Sequence, residues 1–284
     1  MAGSRREFTT PTGLTLVGDG YGDRGHPPVL LLHGGGQTRH AWGGTAALLA
    51  EAGSYVVSLD QRGHGDSDWD PGADYSHDPM IDDIRHVGAE LSAEADGIAP
   101  AFVGASMGGI ISLLAIGERH VDARALVLVD IATRMEDEGV GKILSFMRSG
   151  TEGFDSLDDA ADAVAAYQPH RRRPKSTDGL RKNLRQREDG RWYWHWDPAF
   201  IDPDGKTPRR SRDPQRLDDA ARALTIPTLL VRGGASDVVS EEGARVFCEL
   251  VPHAEYVDVA DAHHMVAGDR NDAFGAAVVA FLEP

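Results

Sequence analysis

The chain has 284 residues, 41% of them apolar, with 45 acidic against 29 basic side chains and a formal net charge of −16. The apolar share suffices for a packed core and excludes a disordered chain. The negative field opposes phosphate backbones and anionic lipid, so a small-molecule partner is expected and nucleic acid or a membrane surface is not. No apolar run approaches the ~20 residues of a membrane helix, and the start, Met1 to Phe8, lacks the apolar stretch of a secretory leader. The single cysteine, Cys248, sits in an apolar helical pattern and forms no internal disulfide, which fits a reducing, cytoplasmic setting. Nothing in the sequence specifies an oligomeric state.

In chain order, Phe8 to Gly18 reads as two short strands around a Pro-Thr-Gly turn. Pro28-Val-Leu-Leu-Leu32 is a continuous apolar strand, the pattern expected when helices cover both faces. It runs into His33-Gly-Gly-Gly36, where the glycines let backbone approach a ligand closely. A helix is predicted from Arg39 to Ala52, then a strand from Ser54 to Asp60 that ends in the glycine-rich turn Asp60-Gln-Arg-Gly-His-Gly-Asp-Ser67. His64, between two glycines, is read as holding that turn rather than as a base. From Asp78 to Ala95, Ile81, Ile84, Val87 and Leu91 share one helical face.

The next stretch, Ala101 to Ile111, organises the rest. A short apolar strand end, Ala-Phe-Val, turns through Gly104-Ala-Ser106-Met-Gly108 into the apolar helix beginning Ile110-Ile111. A direct strand-to-helix corner forces its central residue into a strained backbone, and small neighbours let the helix lie close to the strand. The hydroxyl of Ser106 is thereby held out above a helix N-terminus. This Gly-x-Ser-x-Gly pattern is a nucleophile elbow, whose following amide, that of Met107, points at a developing oxyanion. A second donor is required for acyl transfer, and the amide of Gly35, or alternatively Gly36, is placed to supply it.

Ala125-Leu-Val-Leu-Val129 is another buried strand, ending in Asp130, and Thr228-Leu-Leu-Val231 is the next. A parallel crossover needs a dozen or more residues, whereas far more intervene, so an inserted cap is expected over residues 133–212, with the core formed by 1–132 and 213–284. The cap contains helical patterns at Ile143 to Met147 and Leu157 to Tyr167, and the run Arg191-Trp-Tyr-Trp-His-Trp-Asp197. At strand spacing, Trp192, Trp194 and Trp196 share one side, either gluing the cap to the core or roofing an apolar substrate pocket. The basic run from His170 to Arg173 is read as a solvated face rather than an anion site. After Leu217 to Leu224, read as a return helix, the strand at Thr228 leads into a small-residue turn carrying Asp237. Ser240 is placed to cap the following helix. A last strand, Ala254 to Val259, leads to Asp261-Ala-His-His-Met-Val-Ala267, and a closing helix follows from Asn271 to Leu282.

A free serine hydroxyl needs a base within reach, and the base needs an acid to fix its tautomer. The chain order Ser106, Asp237, His264 is that of the α/β-hydrolase fold, and over residues 8–130 and 214–282 the chain resembles that superfamily. The likeness is to its capped branch, which includes esterases, cofactor-free haloperoxidases and epoxide hydrolases. The resemblance implies a mostly parallel central sheet flanked by helices, with a helical cap inserted after the sixth strand. It implies Ser106 as nucleophile, Asp237 as acid with Asp130 as rival, and His264 as base with His263 in the position usually held by glycine. Epoxide hydrolases place an aspartate at the nucleophile position, so Ser106 disfavours epoxide opening. No cofactor and no metal are implied; adjacent histidines rarely chelate one ion. The expected activity is hydrolysis of a small, largely apolar ester or lactone through an acyl-enzyme. The alternatives are a C–C bond hydrolase or perhydrolase on the same triad, or a non-catalytic ligand-binding receptor.

Overall fold

The computed structural model describes residues 3–171, 173, 176–201, 213–269 and 271–282. Eight strands form one sheet: β1 (Ser4–Thr9), β2 (Thr15–Tyr21), β3 (Pro28–Leu32), β4 (Tyr55–Leu59), β5 (Ala101–Ala105), β6 (Ala125–Val129), β9 (Thr228–Gly233) and β10 (Glu255–Val259). Their spatial order is β1-β2-β4-β3-β5-β6-β9-β10. The β1–β2 and β2–β4 pairs are antiparallel and the rest are parallel.

Strand alternation divides the apolar runs between two cores. Leu30, Leu32, Phe102, Leu126, Leu128 and Leu230 face one side. There they meet α2 (His77–Glu94), α3 (Met107–Gly117), α6 (Pro214–Arg222) and α7 (Glu241–Leu250). Val29, Leu31, Val103, Val127, Val129 and Val231 face the other, against Trp42, α1 (Gly43–Glu51) and α9 (Asn271–Leu282). Successive side chains point to opposite faces, so an unbroken hydrophobic run is what a doubly covered strand requires. The helix predicted from Arg39 begins as a 3-10 turn, Arg39–Trp42, before α1.

Among the described residues, two helices and a hairpin lie between β6 and α6. They are α4 (Asp137–Ser149), α5 (Leu157–Tyr167) and the antiparallel pair β7 (Leu184–Gln186) and β8 (Trp192–Trp194), with 3-10 turns at Asp178–Lys182 and Pro198–Ile201. This segment, expected as a helical cap, is therefore not purely helical: alternating aromatic residues favour the pleated hairpin. It has its own apolar cluster, built from Met147, Ala160, Leu184, Trp194, Trp196 and Ile201. Residues 202–212, the expected end of the cap, fall outside those described. The return helix α6 starts at Pro214, with Asp213 accepting from the amides of Gln215 and Arg216. No described helix is long and apolar enough to cross a membrane.

Candidate active site

The C-terminal ends of β3, β5 and β6 deliver the chemistry to one rim of the sheet, and the turn α8 (Val266–Asp269) follows the histidine that completes it. Ser106 sits between β5 and α3 with φ 46° and ψ −113°. Holding a non-glycine residue in that region costs roughly 1–3 kcal/mol, offset here by packing that leaves the corner no alternative. A Cβ on Gly104 would lie 2.4 Å from the carbonyl oxygen of Gly108, and one on Gly108 would lie 2.4 Å from that of Leu32. The two motif glycines are thus required where helix, elbow and neighbouring strand touch backbone to backbone. Ser112 Oγ donates to the Gly108 carbonyl at 2.7 Å and tightens the first turn of α3.

The loop after β3 lies directly beside the nucleophile: a Cβ on Gly34 would come within 3.4 Å of Ser106 Cβ. Its three glycine amides have different fates. That of Gly34 donates to Gln37 Oε1 at 3.1 Å, and that of Gly36 donates to His64 Nε2 at 3.2 Å. Gly36 is therefore corrected as an alternative oxyanion donor, because its N–H is already committed. Among the described residues the Gly35 amide has no acceptor, and the Met107 amide opens α3, where no intrahelical acceptor exists. Those two N–H groups are the ones left to face a developing charge.

His64 holds the loop. Its Nδ1–H donates to the Arg62 carbonyl at 3.0 Å, which leaves Nε2 as the acceptor for Gly36. His33 repeats the arrangement, donating to its neighbour Gly34 carbonyl at 2.8 Å and accepting from the Gln61 amide at 3.1 Å. Burial pushes His33 down to about 4 and His64 to about 3, so both rings stay neutral as these bonds require. From the cap, His195 accepts from the Gly65 amide at 2.6 Å, and burial holds it well below the ordinary histidine value. Asp60 organises the same turn, accepting from the amides of Arg39 at 2.6 Å and Asp66 at 3.0 Å.

His264 Nδ1–H donates to Asp130 Oδ2 at 2.7 Å. Asp130 is fully buried, with φ 49° at the end of β6, and also accepts from the Gly233 amide at 2.9 Å and from Ser236 Oγ at 2.5 Å. Asp237 is corrected as the partner of His264. Its carboxylate is half-exposed and pairs with Lys142 on α4 at 3.1 Å. The turn after β9 presents Ser236, not the next residue, to the interior. β6 stands between β9 and the serine-bearing β5, so its end offers the acid. His263 stacks on His170, with ring centroids 3.6 Å apart.

Ser106, Met107, Gly35 and His264 line one cavity of about 670 Å³, within the range of small-ligand sites. Its walls are mostly apolar, including Ile110, Val140, Ile143, Met147, Leu180 and Ile201. The cap rests on the glycine loop: a Cβ on Gly36 would meet Met147 at 3.1 Å and Trp196 at 3.3 Å, and one on Gly35 would meet Phe200 at 3.6 Å. Trp194 and Trp196 line the cavity and stack on each other with centroids 5.0 Å apart. Both also belong to the apolar cluster of the segment between β6 and α6. Trp192 is corrected as a lining residue: it lies outside the wall, under the guanidinium of Arg181. Tyr75, which donates to Asp197, and Phe200 also line the cavity. Neither carries a motif, and nothing short of the cap's docking reveals them. Among the described residues, no group of three or more His, Cys, Asp or Glu is placed to hold a metal ion.

Comparison with known proteins identifies the family and the fold. The sequence model of a family described as alpha/beta hydrolase fold matches residues 27–270. Esterase Rv0045c of Mycobacterium tuberculosis is 27% identical over 252 residues, covering 86% of this chain and 78% of its own. The 3-hydroxybutyrate-oligomer hydrolase of Cupriavidus necator is 26% identical over 255 residues, covering 86% and 85%. Among solved structures, E-2-(acetamidomethylene)succinate hydrolase superimposes with a TM-score of 0.83 at 22% identity, over 99% of this chain and 100% of that one, a likeness of fold.

Proposed function

The chain belongs to the α/β-hydrolase family and is a hydrolase with ester-hydrolysing relatives, and from that premise we propose that it cleaves a small, largely apolar ester or lactone through an acyl-enzyme on Ser106. The observation that carries this is the buried Asp130–His264 hydrogen bond at the edge of the cavity that Ser106 enters. With Nδ1–H committed to the carboxylate, Nε2 is the basic nitrogen. It takes the Ser106 proton as Oγ attacks the carbonyl, and the oxyanion forms against the amides of Met107 and Gly35. The imidazolium then protonates the leaving alkoxide. In the second half His264 removes a proton from water, which releases the acid and restores the serine. The described residues between β6 and α6 act as the lid that keeps bulk water from the acyl-enzyme.

Fluorophosphonate labelling tests the reading. Wild-type protein is expected to label on Ser106, and Ser106→Ala to lose both labelling and ester hydrolysis while keeping its thermal unfolding. Near-normal hydrolysis in that variant would sink the mechanism. Absence of labelling in wild type would favour a ligand-binding receptor on the same fold. Turnover of a vinylogous diketone, or of acetate with peroxide, in preference to esters and lactones would move the assignment to a C–C hydrolase or perhydrolase.

A further inference from the structure

The loop that carries His264 is not part of the sheet. It runs from the end of β10 at Val259 to the start of α8 at Val266. Its backbone is tied at Ala262, whose carbonyl accepts from the Ala235 amide at 2.8 Å. The His263 carbonyl lies against the end of β9, where a Cβ on Gly233 would fall 2.4 Å from its oxygen. On either side of His264, its neighbours His263 and Met265 are met by the segment between β6 and α6.

There α5 ends at Tyr167, and Gln168-Pro169-His170-Arg171 follows as a turn, closed by the Arg171 amide donating to the Gln168 carbonyl at 3.0 Å. Proline at the second position is pre-set for such a bend. The turn sets three side chains on the His264 loop. Gln168, which is buried, donates from Nε2 to Met265 Sδ at 2.6 Å. The His170 ring stacks on that of His263, with centroids 3.6 Å apart and planes 21° from parallel. Arg171 Nη2 lies 3.5 Å from the Met265 carbonyl oxygen, and a Cβ on Gly268 would fall 2.8 Å from that nitrogen. In the basic run expected as a solvated face, Arg173 does pair outward, with Asp158 and Asp162. His170 and Arg171 rest on the loop instead.

We propose that His170 and Gln168 are positioning residues for the reaction: they clasp the two neighbours of His264, so that its ring stays aimed at Ser106. The inference rests on the esterase reading above. The bond to Asp130 fixes one atom of the imidazole; restraining the peptides on both sides fixes its direction. A misplacement of about 1 Å at a reacting group costs on the order of 10²-fold in rate, so contacts that hold the loop to a fraction of that are read in kcat. The tandem histidines thereby divide the work: His264 serves the serine, and His263 fastens the loop to His170. Gln168 lines the cavity, whereas His170 and His263 do not, so the effect of the stacked pair is separable from contact with substrate.

Steady-state kinetics on p-nitrophenyl acetate, with the rate of fluorophosphonate labelling beside them, test this. His170 is exposed, so its truncation spares the core. His170→Ala and His263→Ala, each checked for unchanged thermal unfolding, are expected to lower kcat about five-fold, the scale of one ring pair, with KM within about two-fold and labelling slowed in parallel. The double variant should lose no more than either single change, since both remove the same contact. His170→Phe keeps a flat ring and should stay within about two-fold of wild type. Gln168→Leu keeps the bulk without the N–H and should also lower kcat and the labelling rate. Unchanged kcat in the alanine variants or in Gln168→Leu, a rise in KM alone, additive losses in the double variant, or a His170→Phe variant as slow as His170→Ala would overturn the proposal. Wild-type protein that neither labels nor turns over esters would instead remove the esterase reading beneath it.

Discussion

His264 Nδ1 and Asp130 Oδ2 meet at 2.7 Å although 134 positions separate them in the chain. The pair fixes one tautomer of the imidazole, and its carboxylate is held in turn by Gly233 and Ser236. Asp130→Asn keeps the shape but favours the wrong tautomer, so kcat is expected to fall by about 10³–10⁴-fold. Asp237→Asn removes only an exposed pair with Lys142 and should change kcat by less than about three-fold. Steady-state kinetics of the two variants on one ester decide between the acids; the reverse ranking would restore Asp237.

Ser236 offers its hydroxyl to Asp130 and accepts from the amides of Val238 and Val239 at 3.1 and 3.2 Å. Ser236→Ala should therefore lower unfolding free energy by ~1–3 kcal/mol and kcat by roughly ten-fold, the worth of one hydrogen bond to a charged group. KM should hold, since Ser236 does not line the cavity. Urea unfolding beside a kcat and KM determination checks both parts.

His64 links the glycine loop to the Asp60 turn by accepting from Gly36 and donating to Arg62. His64→Phe fills the space without either bond. The neighbouring Gly35 amide would then drift from the oxyanion position, and a misplacement of about 1 Å costs on the order of 10²-fold in kcat. A kcat within a few-fold of wild type would show that the loop is positioned by packing alone.

Acid should destabilise the fold through its buried histidines. In the unfolded chain they titrate near 6.5, whereas burial holds folded His33 at about 4 and His64 at about 3. Between those values the unfolded state binds more protons, so stability rises with pH and falls on acidification. Each fully titrating ring contributes about 1.4 kcal/mol per pH unit. Urea midpoints should be level above pH ~7 and fall steadily from pH ~6 to ~4. A level profile across that interval would mean that the rings are protonated in the folded state.

The elbow was legible because its chemistry is local. Gly104, Ser106 and Gly108 stand two positions apart on a strand-to-helix corner, and the contacts that demand glycine there follow from the corner itself. The buried strands were legible for a similar reason, since a doubly covered strand has no polar face to display. The cap's hairpin was less so, because three-residue strands leave little periodicity to read. The acid was not settled by order along the chain, as Asp130 and Asp237 each follow a strand of the same sheet.

By itself the sequence determined the α/β-hydrolase class with its mostly parallel sheet, and it nominated Ser106, His264 and Gly35 as candidates, all of which depend on residue type, short-range spacing and order. Only the tertiary structure decided that Asp130 rather than Asp237 meets His264, that Gly36 is bound to His64, that Trp192 lies outside the cavity, and that Arg171 lines it. The physical reason is the same in each case. Which of several adjacent polar or aromatic side chains turns inward is set by the twist of a turn and by what packs against it, and those partners come from segments far away in the chain.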